Sequence, residues 1–142
     1  MTDLKSLLWL SRPLMQRIEA RIESDLQGTG LTVRMRAVLE ALTEHGPQTV
    51  PDIAFKLEIQ RQYVQLMVND TIKVGLAEKQ KNPRHARSPL IALTKSGLDQ
   101  ITRILEKEGA ILSELTDGLS ADDIATALRV ARHCHSRLGP PS

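Results

Sequence analysis

Apolar positions recur at a spacing near 3.6 along most of the chain, which is the signature of amphipathic helices. Leu4, Leu7, Leu8, Leu14, Met15, Ile18, Ile22 and Leu26 outline a first helical segment that ends at Gly28-Thr29-Gly30. Pro13 interrupts it. With Ser11 as N-cap, Pro13 falls in a first helical turn, where its missing N–H costs nothing, so the segment reads as two helices or one kinked helix. Thr32 caps a second helix carrying Val33, Val38, Leu39 and Leu42, which His45-Gly46-Pro47 stops. Thr49 starts a short third helix running to about Leu57, with Pro51 in its first turn and Asp52 placed as in a capping box. A fourth covers residues 60–74, with Val64, Met67 and Val68 inward and Gly75 closing it.

The period then changes. Residues 76–81 and 89–93 are short strand-like runs around Asn82-Pro83-Arg84-His85-Ala86-Arg87-Ser88, which predicts a hairpin with a long basic tip. Thr94 caps a long helix bearing Leu98, Ile101, Leu105, Ile111, Leu112 and Leu115. Ser120 caps a last one bearing Ile124, Leu128, Ala131 and Leu138. Asp122 and Asp123 at its start, and Arg132 and Arg137 near its end, complement the helix dipole. The expected fold class is mainly α with a small β-hairpin (α+β), in a single domain over residues 1–142.

Composition narrows the chemistry. The 142 residues are 41% hydrophobic, enough for one core. The longest apolar runs are four residues, Leu7-Leu8-Trp9-Leu10 and Leu90-Ile91-Ala92-Leu93, too short to span a membrane. With no secretory signal in the pattern either, a cytoplasmic location is expected. A single cysteine, Cys134, excludes an internal disulfide framework and a cysteine-based zinc site. Only Trp9, Phe55 and Tyr63 are aromatic, which leaves little for stacking single-stranded bases. His45, His85, His133 and His135 are scattered without a nucleophile–base pairing, and there is no phosphate-cradling glycine loop, so no enzyme, metal or cofactor is expected. The net charge of +2 is uneven: residues 60–95 hold seven basic and two acidic groups, the footprint of phosphate contact on an otherwise near-neutral chain.

That basic block coincides with a helix-turn-helix pattern over residues 49–75. Ile53, Ala54, Leu57, Ile59, Val64 and Met67 have the spacing for two helices crossing over a small shared core, and Ala54 lets them approach. Outward on the second helix stand Gln60, Arg61, Gln62, Gln65 and Asn69, with Tyr63 nearby. Their amides and guanidinium match donor and acceptor pairs on base edges in the major groove. Lys79, Lys81, Arg84, His85 and Arg87 lie on or near the hairpin tip, from which an arginine can enter a minor groove. A hairpin directly after a helix-turn-helix makes a winged helix. Readout is therefore expected from Arg61, Gln62 and Gln65, and phosphate contact from Lys79, Lys81, Arg84 and Arg87.

In this arrangement the sequence resembles the multiple-antibiotic-resistance regulator (MarR) family, from about Leu7 to Leu138. The stretches that carry the resemblance are Thr49-Val-Pro-Asp-Ile-Ala-Phe-Lys-Leu57, residues 64–76, and the join Leu93-Thr94-Lys-Ser-Gly97. The resemblance implies a cytoplasmic regulator, more often a repressor. It implies winged helix-turn-helix lobes (about 32–94) on a helical dimerisation base of N- and C-terminal helices (about 4–27 and 95–138). Two departures stand out. Where the family often has Asp-x-Arg before the second wing strand, this chain has His85-Ala86-Arg87, without the acidic partner of a wing salt bridge. Glu58 stands where such turns often have glycine, so a differently built turn is expected.

The first and the last two helices have wider apolar faces than one small lobe can cover, which points to a homodimer and, by symmetry, a palindromic double-stranded operator. The family's usual switch implies a small aromatic or anionic effector, with Trp9, Arg12, Met35 and His45 as candidate lining. Two other readings remain open from sequence. One is a protein-interaction module built on the same winged helix; the other is a redox-responsive regulator using Cys134. Against chelation in His133-Cys134-His135, residues two apart on a helix face different ways.

Overall fold

The computed structural model describes residues 2–140 and contains six helices and one hairpin among them: α1 (Thr2–Leu26), α2 (Val33–His45), α3 (Val50–Leu57), α4 (Arg61–Lys73), β1 (Ala77–Gln80), β2 (Leu90–Leu93), α5 (Lys95–Thr116) and α6 (Ala121–Leu138). No helix among the described residues is long and apolar enough to cross a membrane. The expected winged-helix order is present throughout.

The caps explain the boundaries. Thr32, Thr49 and Thr94 each accept a backbone N–H three residues on, from Met35, Asp52 and Gly97. Each satisfies one of the orphan donors of a helix start. Ser120 and Asp123 form a full reciprocal capping box at α6. The segment before residue 27 differs from one of the two readings allowed above. Ser11 is not an N-cap, and α1 is one continuous helix with Pro13 inside it. The Ser11 hydroxyl donates to the Leu8 carbonyl at 2.5 Å instead. Residues 9–17 are exposed, so water can take the carbonyl that Pro13 leaves without its N–H partner.

Two apolar clusters hold the lobe. Val38 and Leu42 of α2, Ile53 and Ala54 of α3, Val64, Met67 and Val68 of α4, and Ala77 and Ile91 of the hairpin form the first. Leu26, Leu31, Met35, Leu39, Leu76, Ile101 and Ile104 form the second, where α1 and α5 meet α2. Full burial of side chains such as Val38, Ile53 and Ile101 contributes ~1.5–3 kcal/mol each. An ionic joint lies beside the second cluster. The Arg36 guanidinium of α2 grips both carboxylate oxygens of Glu108 on α5 and reaches Glu40 on its own helix. Glu108 foremost, then Glu40, keeps Arg36 charged above the ordinary arginine range against the cost of burial.

The hairpin is antiparallel, with Ala77 opposite Leu93 and Gln80 opposite Leu90. Gln48, in the α2–α3 loop, adds an isolated bridge to Ile91. Its buried side chain donates to the Ala41 and Gly46 carbonyls at 2.9 and 3.1 Å and accepts from Lys56 at 2.9 Å, tying α2, α3 and the hairpin together. At the far end of the sheet, Thr94 donates to the Gly75 carbonyl at 2.7 Å. Beside it, a Cβ on Gly97 would stand 1.9 Å from the Leu76 carbonyl oxygen, so only glycine lets α5 start against the hairpin.

Candidate nucleic-acid interface

α3 and α4 cross over Ile53, Ala54, Val64 and Met67, all buried, and this packing sets the angle at which α4 leaves the surface. The turn between them contains Glu58, the one non-glycine residue with positive φ among those described (φ 54°, ψ 45°). The turn is therefore not rebuilt around Glu58, as expected above. Glu58 itself takes the left-handed conformation, at a cost of ~1–2 kcal/mol. Its N–H is satisfied by the Phe55 carbonyl at 3.3 Å, and its carboxylate lies 3.0 Å from the His135 ring of α6.

With α3 and α4 locked, one open groove of ≈ 580 Å³ runs between α4 and the hairpin. Arg61, Gln62 and Gln65 line one wall, Lys79, Arg87 and Ser88 the other, and Val50 and Pro51 close its end. Five of the residues singled out from sequence thus meet in one place: Arg61, Gln62, Gln65, Lys79 and Arg87. Among the described residues, neither these three cations nor Lys81 and Arg84 form an ion pair. A groove holding unneutralised positive charge beside amide groups is suited to a polyanion with hydrogen-bonding edges.

The other candidates are spread around that groove. Asn69 continues the exposed face of α4, and its side-chain oxygen accepts from Gln65 Nε2 at 2.9 Å, so the two amides brace each other. Gln60 is the N-cap residue of α4 and makes no side-chain cap bond, leaving its amide free. Tyr63 is outside the groove lining, with Arg34 of α2 stacked 5.0 Å from its ring centroid. Lys81, Arg84 and His85 stand exposed at the wing tip, outside the groove lining. The tip has no salt bridge to Arg87. Asn82 secures it instead: its Nδ2 donates to the Ser88 carbonyl at 2.9 Å and its Oδ1 accepts from the Arg84 N–H at 3.1 Å.

The four candidate effector residues do not come together around one cavity. Met35 is 8% exposed inside the second core cluster, Trp9 and Arg12 are exposed on α1, and His45 is exposed at the end of α2. Cys134 is a free, half-buried thiol on α6. No group of three or more metal-ligating side chains is assembled among the described residues. The residues that sequence reasoning missed are Arg34, Gln48, Asn82 and Ser88. Of these only Asn82-Pro83 carried a local turn signal.

Comparison with known proteins places this geometry. Residues 29–88 match the family model described as MarR family. A solved MarR family transcription regulator, designated SP03579, is 32% identical, with a TM-score of 0.85 over 96% of this chain and 89% of that one. An uncharacterized protein of Mycobacterium tuberculosis is 39% identical over 71 residues, half of each chain; the match spans about half the length of that curated relative. The HTH-type transcriptional repressor MdtR of Bacillus subtilis is 24% identical over 117 residues, 82% of this chain and 76% of that one.

Proposed function

The chain belongs to the MarR family, and from that premise we propose that it is a sequence-specific double-stranded DNA-binding transcriptional regulator that works as a homodimer. The observation that carries this reading is the groove between α4 and the wing, where Arg61, Gln62, Gln65, Lys79 and Arg87 converge. α4 enters a major groove, with Arg61, Gln62 and Gln65 facing base edges. The wing lies along the backbone, where Lys79, Lys81, Arg84 and Arg87 meet phosphates and His85 adds to that contact.

The dimer is supported by apolar surface that this chain leaves uncovered. Leu7, Leu10 and Leu14 of α1, Leu112 and Leu115 of α5, and Ile124 and Leu128 of α6 are all exposed, and α6 buries none of its residues. Two lobes on a two-fold axis offer recognition helices to successive major grooves, which calls for a palindromic operator. The regulator acts as a repressor, the role named for its Bacillus relative. An effector releases it by favouring a lobe separation that does not fit the operator, since a ligand indifferent to that separation shifts nothing.

Fluorescence anisotropy of a labelled duplex across a salt series tests the reading. Log affinity is expected to fall linearly and steeply with log salt, as several phosphate contacts release counterions. A flat dependence with no affinity near physiological salt overturns it in favour of the protein-interaction module.

A further inference from the structure

We infer that Leu66 is a specificity-determining residue that reads the C5-methyl group of a thymine in the major groove; this rests on the DNA-binding reading above. On an α-helix successive side chains are turned by about 100°. Val64, Met67, Val68 and Thr71 define the buried face of α4, so the face directly opposite is centred on Gln62, Leu66, Asn69 and Lys73. Leu66 thus stands on that outward face beside Gln62, next to the groove rather than in its lining, and it is 61% exposed.

Its surroundings set it apart from the exposed apolar residues proposed for the dimer. Leu7, Leu10 and Leu14, Leu112 and Leu115, and Ile124 and Leu128 neighbour one another on their helices. The positions one turn from Leu66 are instead Gln62, Tyr63, Asn69 and Asp70, with Tyr63 under the Arg34 guanidinium. The mutual brace of Gln65 and Asn69 leaves Leu66 as the apolar point of a polar reading surface. A leucine has no donor or acceptor. Against a guanine, adenine or cytosine edge it would strip water from polar atoms and return nothing. Thymine alone carries a methyl group on its major-groove edge, so leucine against thymine removes apolar surface from water on both sides.

The test uses the purified full chain. A preferred duplex is selected from a random pool, and each thymine of its half-site is replaced in turn by deoxyuridine, which deletes only the methyl. At one thymine per half-site the wild type is expected to bind about fourfold more weakly after replacement, the value of one buried methyl. Leu66→Ala is expected to bind the thymine and uracil forms equally at that position. Its exposed side chain leaves the melting temperature and salt slope unchanged, which keeps folding out of the comparison. The same uracil penalty in wild type and Leu66→Ala, or no penalty at any thymine, overturns the inference and leaves the DNA-binding reading standing. Failure of the wild type to enrich any sequence overturns both.

Discussion

In the stretch from α2 to β2, Val38, Ile53, Val64, Val68 and Ile91 are almost completely buried, whereas α6 carries Ile124, Leu128 and Leu138 and buries none of its residues. The first region closes on itself: three helices and a hairpin share one cluster, tied by Gln48 and capped by threonines. The second is a helix with a strong start, its capping box, and an apolar face on which no residue is buried among those described. One region is a folding unit; the other is, in the dimer proposed above, half of an interface. The Arg36–Glu108 fork joins α2 of the lobe to α5, whose distal half continues the exposed apolar surface.

Mutation can break that contrast at either end. Ile53→Ala opens a cavity in the closed region and is expected to cost about 4 kcal/mol of unfolding free energy in a urea titration. Leu128→Asp places a charge on the uncovered face. It should weaken dimerisation more than a hundredfold, about 3 kcal/mol, in sedimentation equilibrium, while far-UV circular dichroism of the lobe is retained. A variant that instead unfolds the whole chain contradicts the division into two regions.

The joint between the regions is weaker than either. Glu108→Gln leaves the Arg36 charge half-buried beside Glu40 alone, and thermal melts should show a loss of about 2 kcal/mol. Within the lobe, Gln65→Ala is expected to lose about 1–2 kcal/mol on the preferred duplex and to relax discrimination. Arg84→Ala should weaken preferred and random duplexes alike, as the phosphate contact proposed for it requires. Identical behaviour of the two variants removes the separation between readout and backbone contact.

The smallest effect is at the start of α6. The Ser120 N–H first, and its hydroxyl second, hold the Asp123 carboxyl below the ordinary aspartate range. A carboxyl depressed on folding adds stability above its unfolded value, near pH 4, and that contribution fades as pH falls through the folded value. Amide protection in the first turn of α6, taken relative to the unfolded chain at the same pH, should therefore fall in acid, and Asp123→Asn should show the lower protection at every pH. Equal acid dependence in both proteins rules out the capping box as its source.

What the sequence made legible was local or periodic. Thr32, Thr49, Thr94 and Ser120 marked four helix starts, and Val64, Met67 and Val68 fixed the buried face of α4 and with it the exposed one. The wing followed from a change of period around Asn82-Pro83. What stayed hidden depends on groups brought together from distant positions, or on the balance between conformational cost and context. Nothing near Gln48 announces that its amide would bind Ala41 and Gly46, and Arg36 and Glu108 are 72 residues apart. Asn82 replaces an ion pair with bonds to backbone, a substitution that residue chemistry alone does not show. Pro13 and Glu58 broke local rules, yet α1 continues through one and the turn keeps its left-handed residue at the other. The effector residues were named from a family's habit rather than from a pattern, and Met35 proved to be core.

The central claim, a dimer whose paired α4 helices read DNA, is tested most directly by selecting duplexes from a random pool with the purified chain at near-physiological salt. The account predicts an enriched inverted repeat whose half-site centres lie about 10 base pairs, or a multiple of that, apart. Enrichment of a single unrepeated half-site contradicts the dimer, and a pool that leaves the selection unenriched contradicts sequence-specific DNA binding.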